Sequence, residues 1–484
     1  MIIAGLEADE QETLTELWWV WTRKLRRNMI RTQYYEHKNV LKDLGIAIPP
    51  ELTSIELVLG WPSKAVDTLA RRCKLEGFAA PGVDLDSLGI DVLMRDNDMD
   101  IELPQVISSA FLHSCSFMSV TQGDTTAGEP EILISSQSAL YASGVWDHRL
   151  RRLKSAMTIV DFNTLGLVTQ LVVFMRAKTI RCVLVDGVWQ ITRMVHSLDR
   201  LPVEVIPYRP ELHRPFGRSR ISRTVMGLTD SALRTLFRME VSAEFYSAPQ
   251  RWIMGADEKM FVDENGNPKT QWQAVMGRVW AAPAVEDTGT LPTVGEFHAA
   301  SQQPHIEQLR SLASMFASEA SLPLSELGII QDNPSSAEAI EAAERGLIGE
   351  AKAATETIGP RLVRVITTAL QIREGWDTVP PEIAKLDARW RKPEQPLDSA
   401  VGDFIIKVAQ AFPWLAESRV LVEQLGWDEN TVERAWADKR RASASSVVNA
   451  LRTNPTPRPP LPNQATPSPA NMPMQLNNGS GING

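Results

Sequence analysis

Apolar residues recur at steps of three and four along two stretches in the second half of the chain. In the first, Ile306, Leu309, Ala313, Phe316 and Ala320 share one face, which predicts a helix over 304–320. Pro304 stands at its first position, where a missing N–H has no helical partner to lose. Pro323 stops it, because its ring cannot donate the next backbone bond. A polar break follows, Ser325-Glu-Leu-Gly-Ile-Ile-Gln-Asp-Asn-Pro334. Ser335 and Glu338 then stand at capping-box spacing. From there Ile340, Ala343, Leu347, Ala351, Ala354, Ile358, Val365, Ala369 and Ile372 keep the helical period. That stretch is on the order of 50 Å long at the rise of an α-helix. Pro360 interrupts it and predicts a kink, since it removes one backbone bond and presses on the carbonyl of Glu356. A long Ala-rich helix is either a core helix of a large α-domain or a strut packed against copies of itself. The pattern alone favours the first.

Upstream, residues 10–40 predict a helix with Trp18, Trp19 and Trp21, a basic run (Arg23, Lys24, Arg26, Arg27, Arg31), then Tyr34 and Tyr35. Basic residues beside aromatics can mean nucleic acid, but a solvated or interfacial helix face is the simpler reading. Gly45-Ile-Ala-Ile-Pro-Pro50 reads as an extended linker, and further helices are predicted over 61–72 and 103–113. Alternating or continuous apolar runs predict strands at 131–135, 139–143, 156–161, 167–177, 179–186, 188–195 and 203–207, with turns such as Asp186-Gly187 between them. Region 130–207 therefore reads as one meandering antiparallel sheet. His148 and His196 lie there without partners in the sequence and read as structural or surface groups. A helix opening at Arg214-Pro-Phe-Gly-Arg-Ser-Arg-Ile-Ser222 runs to about 248, with Val225, Leu228, Ala232, Leu236, Met239 and Ala243 on its apolar face. The Arg218/Arg220/Arg223 cluster could hold phosphate or pair with acidic groups. Residues 249–301 form a small α/β insertion, with strands at 251–255, 278–282 and 295–298 and a tight turn at Asp263-Glu-Asn-Gly-Asn-Pro268.

Prolines after Trp376 mark a boundary. Short helices over 397–411, 417–425 and 429–443 predict a small bundle with Trp414, Trp427 and Trp436 as core candidates. From Thr453 the chain is rich in Pro, Asn, Gly and Ser, too poor in large apolar residues to offset its ordering entropy, and reads as disordered.

The 484 residues allow two to four domains, and the net charge of −9 argues against tight sequence-independent binding of DNA phosphates. It leaves open a protein past which DNA slides. Cys73, Cys115 and Cys182 are widely spaced and odd in number, which reads as reduced thiols of a cytosolic protein. The first ten residues lack the basic and apolar regions of a signal peptide, and no apolar run is long enough to span a membrane. Asp96-Asn97-Asp98-Met99-Asp100 starts like a calcium loop. The required glycine is Ile101 and the final bidentate glutamate is Ile107, so it reads as an acidic turn before a helix. No phosphate loop, zinc-protease motif or nucleophile elbow occurs. The one G-x-G-x-x-G match, Gly479-Ser-Gly-Ile-Asn-Gly484, closes the tail with no helix after it. Neither catalysis, a cofactor nor a metal is signalled.

The order of these elements resembles the portal proteins of tailed double-stranded DNA bacteriophages, most closely those of phages of actinobacteria. The resemblance rests on Tyr34-Tyr35 with Leu44–Pro50 and Gly60-Trp-Pro62, and on Phe216–Ser222 with Met239–Gln250. It continues through 306–323 with 335–345, then Trp390-Arg-Lys-Pro393 and Leu425–Arg434, and so covers nearly all of 15–450. Leu112-His-Ser-Cys-Ser-Phe117 departs from it, where relatives often carry a glycine beside an aromatic; that concerns local packing.

The resemblance implies an α+β ring-forming subunit with wing, stem, clip and crown regions. The wing would be 1–218 with the long helix and its connection, 335–396. The stem helices would be 219–248 and 302–322, the clip 249–301, the tunnel loop 323–334, the crown 397–452 and the disordered tail 453–484. It implies a dodecameric channel at one capsid vertex of the virion, assembled in the host cytoplasm. Viral DNA would be packaged and ejected through it without sequence-specific binding, and no membrane is involved. The major capsid protein, the terminase large subunit and a head-tail adaptor are the implied partners, with the terminase docking on the clip and supplying the ATP-driven work. Gln331, Asp332, Asn333 and Ser335 are the expected DNA-facing residues; turning the chain and capping the next helix is their plainer role. Asp263, Glu264 and Asn265 are the expected clip contacts and Pro360 the expected helix kink. A monomeric head-assembly adaptor or scaffold, and a metal-dependent nuclease using the acidic clusters, are the alternatives.

Overall fold

The computed structural model describes residues 1–40, 57–83, 85, 87–246, 251–255, 293–296, 301–329, 337–394, 398–414, 431–432 and 434–442. The chain divides into two compact units, Met1–Gln395 and Pro396–Gly484.

In the first unit, α1 (Ala8–Tyr35) and α2 (Trp61–Arg72) precede strand β1 (Leu75–Ala79), then α3 (Ile90–Asp96) and α4 (Met99–His113). Strands β2 (Cys115–Gln122), β3 (Ile132–Ser138), β4 (Ala142–Asp147), β5 (Arg152–Phe162), β6 (Val168–Phe174), β7 (Lys178–Val185), β8 (Val188–Val195) and β9 (Val203–Pro207) follow. Helix α5 (Arg223–Tyr246) leads to β10 (Arg251–Met254); β11 (Thr293–Glu296) leads to α6 (Gln303–Glu319). Helix α7 (Ala337–Glu374) and β12 (Asp387–Trp390) complete it.

The expected single meander over 130–207 is two sheets. Strands β4 to β8 form an antiparallel meander in sequence order, whereas β3 and β9 flank β2 in a separate three-stranded sheet. The sequence hid β2 because its run, Cys-Ser-Phe-Met-Ser-Val-Thr-Gln, carries serines on a strand buried along most of its length. Those serines are satisfied internally, as in Ser116 Oγ donating to Val106 O at 2.9 Å. The chain passes from one sheet to the other at a turn, 139–141, where a strand was expected. Helix α1 is pinned to that turn: Trp21 Nε1 donates to Leu140 O at 2.7 Å and Asn28 Nδ2 to Ala139 O at 3.1 Å. Buried carbonyls outside a ladder need such partners.

Three apolar cores result. The largest joins α2, α4, the outer face of β2–β3, α6 and α7. A second packs the N-terminal half of α1 on the meander through Leu14, Leu17, Met157, Leu171 and Ile180. The third, with Phe117, Phe174 and Val205, lies between the sheets.

Helix α7 runs unbroken through Pro360. The proline stands on the exposed side, and so does Glu356, whose carbonyl it leaves without a helical donor. Water can serve that carbonyl. The neighbouring Gly359 is buried, and a Cβ there would lie 3.1 Å from Trp390 Nε1 on β12. Helix α6 spans the predicted first stretch. It ends one residue early, at a left-handed Ser321 (φ 51°) with Leu322 N donating to Ala317 O, so the stop precedes Pro323. Between α5 and α6, β10 and β11 pair antiparallel; the third expected strand, 278–282, lies outside the described residues.

The acidic turn is as expected, though α4 begins four residues earlier than read, at Met99. Asn97 is buried and latches the turn: its Nδ2 donates to Leu93 O and Ile132 O, and its Oδ1 accepts from Ile134 N at 2.7 Å. A side chain so used is not a calcium ligand.

In the second unit, α8 (Asp398–Ala411) matches its prediction, and 434–442 are helical. Trp414 is 71% exposed just beyond α8, which corrects its assignment to a core. Trp436 is half-buried with Lys439 over its ring at 4.4 Å. Trp427, the predicted helix 417–425 and the tail lie outside the described residues.

Candidate functional site

Both predicted stem helices are held at one buried point, and Gly217 is where the chain enters it. Its φ is +73°, and a Cβ there would fall 2.0 Å from Tyr208 O, so only glycine fits. That close approach lets Arg218 N donate to Tyr208 O at 2.8 Å and Arg220 N to Phe111 O at 2.9 Å. Ser219 Oγ donates to Leu112 O. Carbonyls at the end of α4 are thus capped by the segment that opens α5. Ser222 then caps α5, accepting from Val225 N at 3.1 Å, and donates to Glu319 Oε1 on α6 at 3.0 Å.

Arg220 occupies the centre. Its Nε donates to Ala65 O on α2, its Nη2 to Ala320 O at the end of α6, and its Nη1 to Tyr208 Oη at 2.9 Å. Nη1 also lies 2.6 Å from Glu350 Oε2 on α7, an ion pair without hydrogen-bond alignment, while Tyr208 Oη donates to Glu350 Oε1. One rigid fork of donors therefore ties α2, β9, α6 and α7. Burial opposes charge on Glu350, but the Arg220 guanidinium together with the Tyr208 hydrogen bond and nearby Arg209 outweighs it, so the carboxyl stays below its ordinary range. Burial pushes the Tyr208 phenol up, so it remains a neutral donor.

Surrounding pairs extend the junction. Tyr34 Oη donates to Asp230 Oδ1 at 2.8 Å, joining α1 to α5. Arg72 meets Glu344 at 2.9 Å, joining α2 to α7, and Arg361 meets Glu204 at 3.3 Å, joining α7 to β9. Trp61 and Phe316 rings pack 5.4 Å apart.

The arginine cluster is thereby divided. Arg218 pairs with half-buried Glu211 and Arg220 is consumed in the junction, so the two do not form a phosphate cradle. Glu350 and Tyr208 went unseen in the sequence. Glu350 did leave a signal, because it falls with Leu347 and Ala354 on the apolar stripe of α7, where a carboxylate needs a partner. Gln331, Asp332, Asn333 and Ser335 lie outside the described residues, between a 3-10 turn at Leu324–Leu327 and the start of α7. Asp263, Glu264 and Asn265 also lie outside them, between β10 and β11. Among the described residues no group of three His, Cys, Asp or Glu could hold a metal ion, and no helix is long and apolar enough to cross a membrane.

The family described as phage portal protein, SPP1 Gp6-like, matches residues 15–442. The chain belongs to this phage portal protein family. The portal protein of Mycobacterium phage L5 is 27% identical over 384 residues, covering 78% of this chain and 77% of its own. That of Mycobacterium phage D29 is 28% identical over 395 residues, covering 80% and 79%. A chain from the neck of a native GTA particle, solved with C12 symmetry, aligns with TM-score 0.41 and 13% identity over 75% of this chain and 89% of its own. One from the neck of an empty GTA particle, with C6 symmetry, gives 0.43 and 15% over the same shares. Within the portal family match fall α5, α6, the junction at Arg220 and the whole of α7.

Proposed function

We propose that this chain is the subunit of a dodecameric portal ring at one capsid vertex of a phage virion, assembled in the host cytoplasm. Viral DNA enters and leaves through its channel. The observation that carries the reading is the portal-family match across 15–442, which spans α5, the β10–β11 pair, α6 and the long helix α7. The ring seats against the major capsid protein and passes to a head-tail adaptor below. The terminase large subunit supplies the energy of packaging, and the clip around Asp263, Glu264 and Asn265 is its docking point. The portal itself is structural, without catalysis of its own.

A channel must hold DNA without gripping it. The net charge of −9 suits walls that repel the backbone and keep the polymer mobile. The loop carrying Gln331, Asp332, Asn333 and Ser335 faces the duplex on this reading. Removing the chain from an infection should leave heads that assemble but hold no genome. Asp332→Ala with Asn333→Ala should lower packaged genome per head or its retention. Filled, infectious particles made without the chain would overturn the reading; normal packaging by the loop variant would remove only the role given to the loop.

A further inference from the structure

The outer face of α1 lies exposed, without an acidic or apolar partner among the described residues. Trp19, Arg23, Arg26 and Ile30 stand at steps of four, three and four, so they form one stripe, with Arg27 and Met29 beside it. Trp19 is 58% exposed, and Met29 and Ile30 are also exposed. Arg23 lies over the Trp19 ring at 5.0 Å. Among the described residues Arg23, Arg26 and Arg27 have no acidic partner, and no Asp or Glu occurs between Trp18 and Tyr35.

The α3–α4 corner is its complement. Asp91, Asp96, Asp98, Asp100 and Glu102 stand there around the exposed Val92 and Ile101, outnumbering the cations Arg95 and, at the start of α3, Arg373, which donates to Leu88 O. These two surfaces of one subunit cannot meet. The far end of α4 is the one beside α1, where Thr32 Oγ1 and His113 Nε2 are 3.0 Å apart. The corner is at the other end of that 15-residue helix, about 20 Å away at the helical rise. A ring of more than two subunits needs two different patches, each meeting the other on the next copy.

We propose that the basic, Trp19-bearing face of α1 docks on the acidic α3–α4 corner of a neighbouring copy of this chain. The contact rests on the ring reading above and gives it one specific interface. The apolar residues exclude water, and the opposed charges set register and reject self-pairing of like faces.

Cross-linking tests it. Cys73, Cys115 and Cys182 are buried. Burial holds the Cys73 thiol up at about 12 and the other two at about 11, so they react slowly. The full chain carrying R26C together with D98C, treated with a short bis-maleimide, should run on a denaturing gel as a ladder extending well beyond dimer. Either variant alone should not. Independently, R23E/R26E/R27E should cut ring yield by about tenfold, and adding D96K/D98K/D100K should restore it. Rings that give no ladder, or charge reversal without loss or without rescue, would overturn this contact and leave the portal reading standing. Unaltered protein that forms no ring in assembling heads overturns both.

Discussion

Arg220 Nη1 lies 2.6 Å from Glu350 Oε2, and the Arg220 side chain is only 3% exposed. That pair joins the segment opening α5 to the long helix α7. A charge this buried is tolerated because every arm of the guanidinium has an acceptor.

Removing one member should therefore cost more than removing both. Arg220→Met leaves the Glu350 carboxylate with only the Tyr208 hydroxyl and the exposed Arg209, and should lower unfolding free energy by about 3–5 kcal/mol. Arg220→Met with Glu350→Met should fall well short of the sum of the singles. Arg220→Lys should not rescue, because one ammonium cannot serve acceptors on α2, α6 and β9 at once. Denaturant titrations of the four variants measure this; additive losses would show the residues act separately.

Among the groups that respond to acid, His113 and Glu10 are shifted far below their ordinary values. His113 is buried, and that burial, helped by nearby Arg31, lowers it to about 4. The unfolded chain binds that proton first, so stability is lost as pH falls from about 6.5 to about 4. Glu10 is held at about 2, chiefly by Arg193 and also by Lys178. Its contribution, present above about 4.5, is lost as pH falls toward 2. His113→Gln should flatten the upper part of the melting-temperature profile and Glu10→Gln the lower part. Parallel profiles would contradict both assignments.

Asn97 distinguishes a latch from an ion site. Asn97→Ala leaves the Ile134 N–H and Ile132 carbonyl without their partner and should cost roughly 2–4 kcal/mol. Millimolar calcium should leave the melting temperature of the unaltered chain unchanged. A calcium-induced rise abolished by Asp96 or Asp98 substitution would restore the ion reading.

Gly359 and Pro360 act on opposite sides of α7. Gly359→Ala brings a Cβ against Trp390 and should destabilise by about 1 kcal/mol or more. Pro360→Ala restores a backbone bond on the solvent side and should raise thermal stability. If the proline sets the angle of the strut, the same variant should disturb ring closure. Rings of ordinary size and yield would confine Pro360 to a local role.

Much of this was legible in the chain. Periodicity placed α2, α6 and α7, because each buries one stripe against a large core. It placed β8 and β9 to the residue. It missed β2, because serines satisfied by distant carbonyls look polar in sequence and are buried in the fold. For the same reason it joined two sheets into one. At the junction, the Gly-Arg-Ser-Arg motif was visible, while its partners Tyr208 and Glu350 were not. A contact made across 130 residues leaves only the hint of a carboxylate on an apolar stripe.

A single-vertex channel is measured most directly at the vertex itself. Localised electron-microscopy reconstruction of purified virions, without imposed icosahedral symmetry, should show one ring of this chain at one vertex. Its channel should be about as wide as a DNA duplex, with density for α7 packed between subunits. Absence of the chain from the virion, or its presence at every vertex, would rule out a single-vertex portal.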